Sequence, residues 1–307
     1  MAVIAVDCGG TNLVFGLYDA AGRGEPAGTA ASPREAAALP GAIVAAVGPL
    51  LDSAVTAVGI GLAGLVDRER GALEWSPHAA GGPVMVGDEV GAATGLPVLV
   101  DNDANLAALA EARLGAGRGR RMVLFVGLGT GIGGGLVVDG RIERGRGFLG
   151  EVGHLVLDPS GPRCACGGRG CWETLVSGTS LGRAAAELAG SDPGGRVARE
   201  ARGQTPRGEH LAAAALAGDP AARAEMTAAG ARLGRGLAAL VAVLDPDVIV
   251  VGGAAAGAGE LLLGPARAVL GEQVEGAGHR SPTPVVLAEF GAAAGLVGAA
   301  LAAGEMA

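Results

Sequence analysis

Aromatic side chains are nearly missing: two Trp, one Tyr and four Phe in 307 residues. A core built on stacked rings is therefore excluded, and apolar burial has to come from Ala, Val and Leu, with 58 glycines serving turns and close backbone contacts. Long apolar runs are missing as well. The longest uncharged stretch, residues 122–138, is interrupted by six glycines and falls short of the roughly 18 residues that span a bilayer. No basic leader or cleavage site precedes the apolar start Met-Ala-Val-Ile-Ala-Val-Asp, so export is not expected. Cysteine numbers four, three of them clustered, which excludes a disulfide framework and fits a reducing cytoplasm. Basic charge is in deficit, 23 Arg and Lys against 31 Asp and Glu for a net charge of −8, which argues against nucleic acid and anionic membrane as partners.

What is present is organised twice over. At this length two lobes with a cleft between them are expected, because a single core covers only about 150 residues. A β-branched run at Val3–Val6 ends in Asp7-Cys8-Gly9-Gly10-Thr11-Asn12 and resumes as a strand at 13–18. The same theme returns at 122–138, where a strand, the glycine turn 127–134 and a second strand are followed by the hairpin turn Asp139-Gly140. Between them lie a buried strand at 54–60, the segment 61–67, a strand at 97–100 that hands over to Asp101-Asn102-Asp103, and an Ala/Leu-rich helix over 104–114. Residues 115–121, rich in Gly and Arg, read as an interlobe hinge. Ala-rich helices at 181–188, 211–216 and 221–244, strands at 248–251 and 285–287, and a terminal helix at 292–303 complete the pattern.

The densest chemical signal is Cys164-Ala-Cys166-Gly-Gly-Arg-Gly-Cys171-Trp-Glu173, with Gly150-Glu151-Val-Gly-His154 just upstream. Three thiols and an imidazole make a tetrahedral zinc set, and four protein ligands leave no open position, so the metal is structural. Glu151 and Glu173 flank the metal without being needed for it. They and the second nitrogen of His154 would then face a polar ligand, a sugar.

Either glycine loop alone is equally a turn in a glycine-rich chain; their repetition points to backbone N–H groups approaching a polyphosphate. Gly129, Gly131 and Gly134 also fit G-x-G-x-x-G, but a strand follows instead of the helix that a dinucleotide fold requires. Asp7 is placed to hold a hydrated Mg2+ or, alternatively, to cap a turn. Asn102 and Asp103 are either helix caps or, in the company of phosphate loops, a hydroxyl holder and the base that accepts the proton of the attacking O–H. His78, His210 and His279 read as surface or structural residues.

These residues resemble the ROK family of bacterial sugar kinases and repressors, especially its glucokinases. Asp7-x-Gly9-Gly10-Thr11 resembles the family's first phosphate loop, 101–105 its catalytic segment, 127–135 its second phosphate loop, and the 150–154 and 164–173 motifs its zinc and sugar signature. The resemblance implies an actin-like ATPase, or ribonuclease-H-like, α/β duplicate with a zinc-binding loop. Its lobes would be residues 1–117, with the helix at about 292–307 packed back on them, and 118–291. It further implies transfer of the γ-phosphate of ATP to the 6-hydroxyl of glucose, or of fructose, mannose or N-acetylmannosamine, by a homodimer. A non-catalytic sugar sensor is the other class in the family, and its DNA-binding members carry a domain for which no room is expected ahead of Val3.

By that resemblance Asp103 is the base, and Gly64, Asn102, Asp103, Glu151, His154 and Glu173 contact the sugar. Asp7, Gly9, Gly10, Thr11, Asn12, Gly129, Thr130 and Gly131 hold the nucleotide's phosphates with Mg2+, and Gly252 and Gly253 lie on the adenosine side. His154, Cys164, Cys166 and Cys171 bind Zn2+. The sequence departs from the family pattern at Asn12, where Lys is frequent, after Pro77-His78, where a Trp often follows, and at Ala254, where a third glycine is common.

Overall fold

The computed structural model describes residues 2–306. Its first sheet is built from β1 (Ala2–Cys8), β2 (Asn12–Asp19), β3 (Gly24–Ala31), β4 (Val55–Leu62) and β7 (Val98–Asn102), in the order β3-β2-β1-β4-β7. The remaining early elements are α1 (Leu39–Val47), the hairpin of β5 (Leu65–Asp67) and β6 (Ala72–Trp75), α2 (Val86–Thr94) and α3 (Asp103–Arg113). β1 and β2 form the expected antiparallel hairpin, with Asp7 opposite Val14, and β1, β4 and β7 run parallel. Parallel strands are covered on both faces, which is why β1 and β4 read as nearly unbroken apolar runs. Ile4, Val6, Leu13, Ile43, Ile60, Leu62, Leu73 and Val90 belong to the core on one side.

The second sheet comprises β8 (Met122–Leu128), β9 (Ile132–Val138) and β10 (Arg141–Glu143), followed far along the chain by β11 (Val248–Gly252) and β12 (Val285–Leu287). Its order, β10-β9-β8-β11-β12, repeats that of the first sheet strand for strand. Five helices lie between β10 and β11: α4 (Trp172–Val176), α5 (Gly178–Ser191), α6 (Arg196–Ala201), α7 (Gly208–Leu216) and α8 (Pro220–Leu244). α9 (Glu260–Gln273) precedes β12, and α10 (Ala294–Gly304) ends the chain.

The chain falls into two compact units, 1–125 with 135–150 and 289–307, and 126–134 with 151–288. Passage between them occurs at 125/126, 134/135, 150/151 and 288/289 and not at the expected hinge 115–121. The reason lies in Glu111. Its fully buried carboxylate accepts N–H groups from Ala116, Glu289 and Phe290 at 3.0, 3.1 and 2.8 Å, fixing the start of that segment and the entry to α10 on the first unit. α10 packs on α3, β1 and β4.

α8, with 25 residues, is long and apolar enough to cross a bilayer by composition, yet half of its most apolar window is buried within the fold. Gly230 and Gly234 place its backbone against the carbonyls of Leu262 and Ala266 on α9, and Gly236 receives the indole of Trp172. A helix closed over in this way belongs to a protein core.

Candidate active site and metal centre

In the first unit the polar groups gather at the carboxyl ends of the parallel strands, where open α/β sheets place their ligands. The register sets Asp7, Gly61 and Asp101 side by side on β1, β4 and β7. Asp7 lies against Gly61 and Gly295, positions where a side chain would meet its carboxyl oxygens. Burial pushes that carboxyl up to about 6 from the ordinary 3.8. The adjoining loop is tied at both ends. Gly9 N–H donates to the Asn12 carbonyl at 3.0 Å, while Ser32 donates through its N–H to Thr11 O at 3.0 Å and through its hydroxyl to Gly9 O at 2.7 Å. His78 is a neighbour that its sequence context did not reveal: a Cβ at Gly10 would come within 2.7 Å of its ring.

Asn102 and Asp103 occupy the junction of β7 and α3. The Asn102 side chain caps the helix, accepting from Ala104 N at 2.9 Å and Asn105 N at 3.1 Å, and its Nδ2 donates to Gly64 O at 3.0 Å. So the cap reading and the binding reading meet in one residue, which gives one of its two amide N–H groups to the loop that carries Gly64. That loop requires glycine: φ is +145° and a Cβ would run into the Trp75 carbonyl. Asp103 is the first residue of α3, one position after the Asn102 cap.

In the second unit the loop Gly129–Gly131 connects β8 and β9. It is held by Gly178 N–H to Gly129 O at 2.8 Å and by the Thr179 hydroxyl to Thr130 O at 2.7 Å. Neither Gly178 nor Thr179 carried a motif. Glu173 touches the same loop, since its Oε2 accepts from Ile132 N at 3.4 Å and occupies the space a Cβ at Gly131 would need. Its Oε1 accepts the S–H of Cys164 at 2.9 Å and lies 3.7 Å from His154 Nδ1. Glu151 Oε2 stands 3.7 Å from His154 Nε2, so the imidazole has one carboxylate at each nitrogen. Burial raises the Glu151 carboxyl; His154 works against that rise and Glu173 with it.

The donor atoms of His154, Cys164, Cys166 and Cys171 all lie within 4.8 Å of one another. Cys166 and Cys171 are 3.7 Å apart, as are Cys164 Sγ and His154 Nδ1. Metal–sulfur bonds of about 2.3 Å give a tetrahedron with edges of about 3.8 Å, whereas a disulfide needs about 2.05 Å. The set therefore fits a tetrahedral zinc ion. Burial and the Glu173 carboxylate push the Cys164 thiol up, and burial does the same at Cys171; a bound cation would reverse both by favouring thiolate.

Beyond the second glycine loop the same unit holds a cavity of about 890 Å3. It is lined by Gly129 and Thr130, the start of α5, Arg207 and α7 to Leu216, and residues 254–258 just past Gly252-Gly253. Gly253 has φ +82° and sits on the Leu128 backbone, which brings the 254–258 turn to the cavity wall. Mostly small and apolar, with Arg207 and Glu209 as charged groups, it has the size and lining of a site for a nucleoside. In the sequence it was foreshadowed by Gly129 and Thr130, which line it, and by Gly252 and Gly253 beside it.

Comparison with known proteins agrees with this arrangement over almost the whole chain. A glucokinase of Streptomyces coelicolor is 37% identical over 303 residues, covering 97% of this chain and 96% of its own. The structure of a ROK family glucokinase from Streptomyces griseus in complex with glucose and AMPPNP superposes with a TM-score of 0.89 at 37% identity, covering 99% of this chain and 100% of that one. A ROK hexokinase from Thermus thermophilus gives a TM-score of 0.75 at 36% identity, covering 99% and 98%. The doubled five-strand order is thus the actin-like sugar kinase fold with its Cys/His cluster. Residues 3–305 match the ROK family, and the chain belongs to it.

Proposed function

We propose that this protein is an ATP-dependent glucokinase, transferring the γ-phosphate of ATP to the 6-hydroxyl of glucose. The observation that carries this reading is the β7–α3 junction, where Asn102 is fixed to Gly64 and Asp103 begins the helix, in a chain similar end to end to glucokinases. Asp103 accepts the proton of the attacking hydroxyl. Phosphoryl transfer passes through a loose transition state, so positioning matters more than basicity. Gly64, Asn102, Glu151, His154 and Glu173 hold the remaining hydroxyls. The carboxylate-flanked imidazole and Glu173 suit a neutral ligand rich in hydroxyl groups, because they offer acceptors in excess.

The backbone N–H groups of Gly9–Asn12 and Gly129–Gly131 take the phosphates, and the cavity beyond Gly252 and Gly253 takes the nucleoside. Mg2+ would be held through Asp7, whose desolvated carboxyl gains from a nearby cation; bound there it would neutralise charge on the phosphates. Zn2+ on the His/Cys set fixes the loop that carries Glu151, His154 and Glu173 and takes no part in transfer. Thiols at this spacing stay unpaired in a reducing cytoplasm, where we place the protein, acting as a homodimer. The test is ADP release from Mg-ATP measured across glucose, mannose, fructose and N-acetylmannosamine, with zinc quantified on the same sample. Turnover with glucose that vanishes in Asp103→Ala while glucose still binds supports the assignment. Retained turnover in that variant refutes it.

A further inference from the structure

We infer that Arg144, through its grip on Asp101, is a positioning residue for Asp103; the inference rests on Asp103 being the base. Asp101 is the penultimate residue of β7, just before the Asn102-Asp103 junction, and its side chain is 3% exposed. Its two oxygens are divided between two tasks. Oδ1 accepts the Asn102 N–H at 2.8 Å and the Asn105 Nδ2 at 3.3 Å, so it holds the turn from inside. Oδ2 receives Arg144 through two nitrogens, Nη2 at 2.5 Å and Nε at 3.1 Å, with Arg68 Nε farther off at 3.6 Å. Arg144 is anchored in turn, donating through Nη1 to Ile142 O at 3.2 Å on β10.

Two features say that this pair serves orientation. With Asp101 buried and Arg144 27% exposed, the pair is a poor source of net stability, because desolvating the carboxylate offsets much of the attraction. What two guanidinium nitrogens on Oδ2 supply, together with the Asn102 and Asn105 donors on Oδ1, is a carboxylate held at both oxygens, and a lysine ammonium does not reproduce the paired contact. The second feature is Asn105. It is 3% exposed and turns its amide N–H toward Asp101, leaving its Oδ1 as a buried acceptor with no partner among the described residues. An orphaned acceptor costs about 1–3 kcal/mol, and it is tolerated here because the opposite amide orientation would set oxygen against carboxylate. The donors of Asn102, Asn105 and Arg144 thus hold both oxygens of this one carboxylate. That carboxylate holds the Asn102 N–H, and the next residue is Asp103. The Arg144–Asp101 contact itself is not local, the two residues being 43 apart in the chain.

The decisive variant is Arg144→Lys, which keeps the charge and gives up the two-nitrogen grip. With the zinc-loaded protein, glucose and Mg-ATP, kcat should fall about 10- to 100-fold, the scale on which a small misplacement of a reacting group acts. KM for glucose, zinc content and the thermal midpoint should stay near those of the wild type. Asp101→Asn should show a similar kcat loss, and Arg144→Lys added to Asp101→Asn should lower kcat no further. The inference is overturned by wild-type kcat in Arg144→Lys, by a kcat loss matched by falling thermal stability, or by multiplying effects in the double variant. Asp103→Ala, run alongside, separates failure of this inference from failure of the functional reading: normal turnover there removes the base itself.

Discussion

Burial alone lifts the Asp7 carboxyl to about 6, so in the free protein the chain holds this residue against its preference for water. The sign of the linkage follows from the two values. With a folded value of about 6 against an ordinary 3.8, the favourable contribution of Asp7 is complete below the lower value and disappears as pH rises through the upper one. The difference corresponds to about 3 kcal/mol at 1.36 kcal/mol per unit. Asp7→Asn, which cannot ionise, escapes that loss. Its unfolding free energy relative to the wild type, measured in urea with both proteins zinc-loaded, should therefore rise between about pH 4 and about pH 6.5 by up to about 3 kcal/mol and then level off. The shared zinc site cancels in the difference. A flat difference across that range would show that the carboxyl is already ionised in the fold. The same variant should lose turnover with Mg-ATP, because the group that makes the folded state sensitive to pH is the one proposed to hold the cation.

At the scale of elements, the chain announced those to which chemistry is assigned and hid those that only complete a sheet or a layer. The two glycine hairpins, the β7–α3 junction and the zinc motif were legible because each imposes residue types at fixed spacing: glycine where backbone must approach a ligand, and four soft ligands within one loop region. β3, Gly-Glu-Pro-Ala-Gly-Thr-Ala-Ala, gave no such signal. It is an edge strand with mostly exposed residues, and its conformation is set by pairing with β2. α2 and α9 were passed over for a related reason. Glycines at 87, 91, 264 and 271 and Pro265 argue against helix locally, and burial of Val86, Val90, Leu262, Leu263 and Leu270 overrides them. The Asp101–Arg144 contact and the cavity wall of α5 and α7 join distant segments, and no local pattern encodes such meetings. Close helix approach was equally silent. At Gly234 a side chain would press on the Ala266 carbonyl and, at 2.9 Å, on Val269 Cβ, so Gly234→Val should force α8 from α9. We expect a loss of about 1–3 kcal/mol in urea unfolding, with kcat per folded molecule unchanged. A stability equal to wild type would mean that the two helices can slide apart freely.

Across the whole molecule, the groups assigned to the reaction are divided between the two units. Asp7, Gly64, Asn102 and Asp103 belong to the first; Glu151, His154, Glu173, the second glycine loop and the nucleoside cavity belong to the second. Within the second unit a further division exists. The zinc ligands constrain residues 154–171, whereas the cavity is walled by Gly129 and Thr130, α5, Arg207 with α7, and residues 254–258, none of which supplies a ligand. Removing the metal should therefore separate functions that the intact enzyme presents together. Without it, three thiols and an imidazole lose the ion that holds them at tetrahedral spacing, and Glu151 and Glu173 lose their fixed placement. KM for glucose should rise by about tenfold or more, and kcat should fall with it, since Glu173 also contacts the second phosphate loop. Adenosine, which needs only the cavity, should bind the chelated protein within about threefold of its affinity for the zinc form, an energy difference of about 0.7 kcal/mol. Calorimetric titration of adenosine before and after chelation, with glucose kinetics on the same samples and zinc then restored, tests the division. If adenosine affinity collapses together with glucose turnover, the metal supports the whole second unit. Should glucose kinetics survive chelation, the carboxylates beside His154 are held by the protein chain alone.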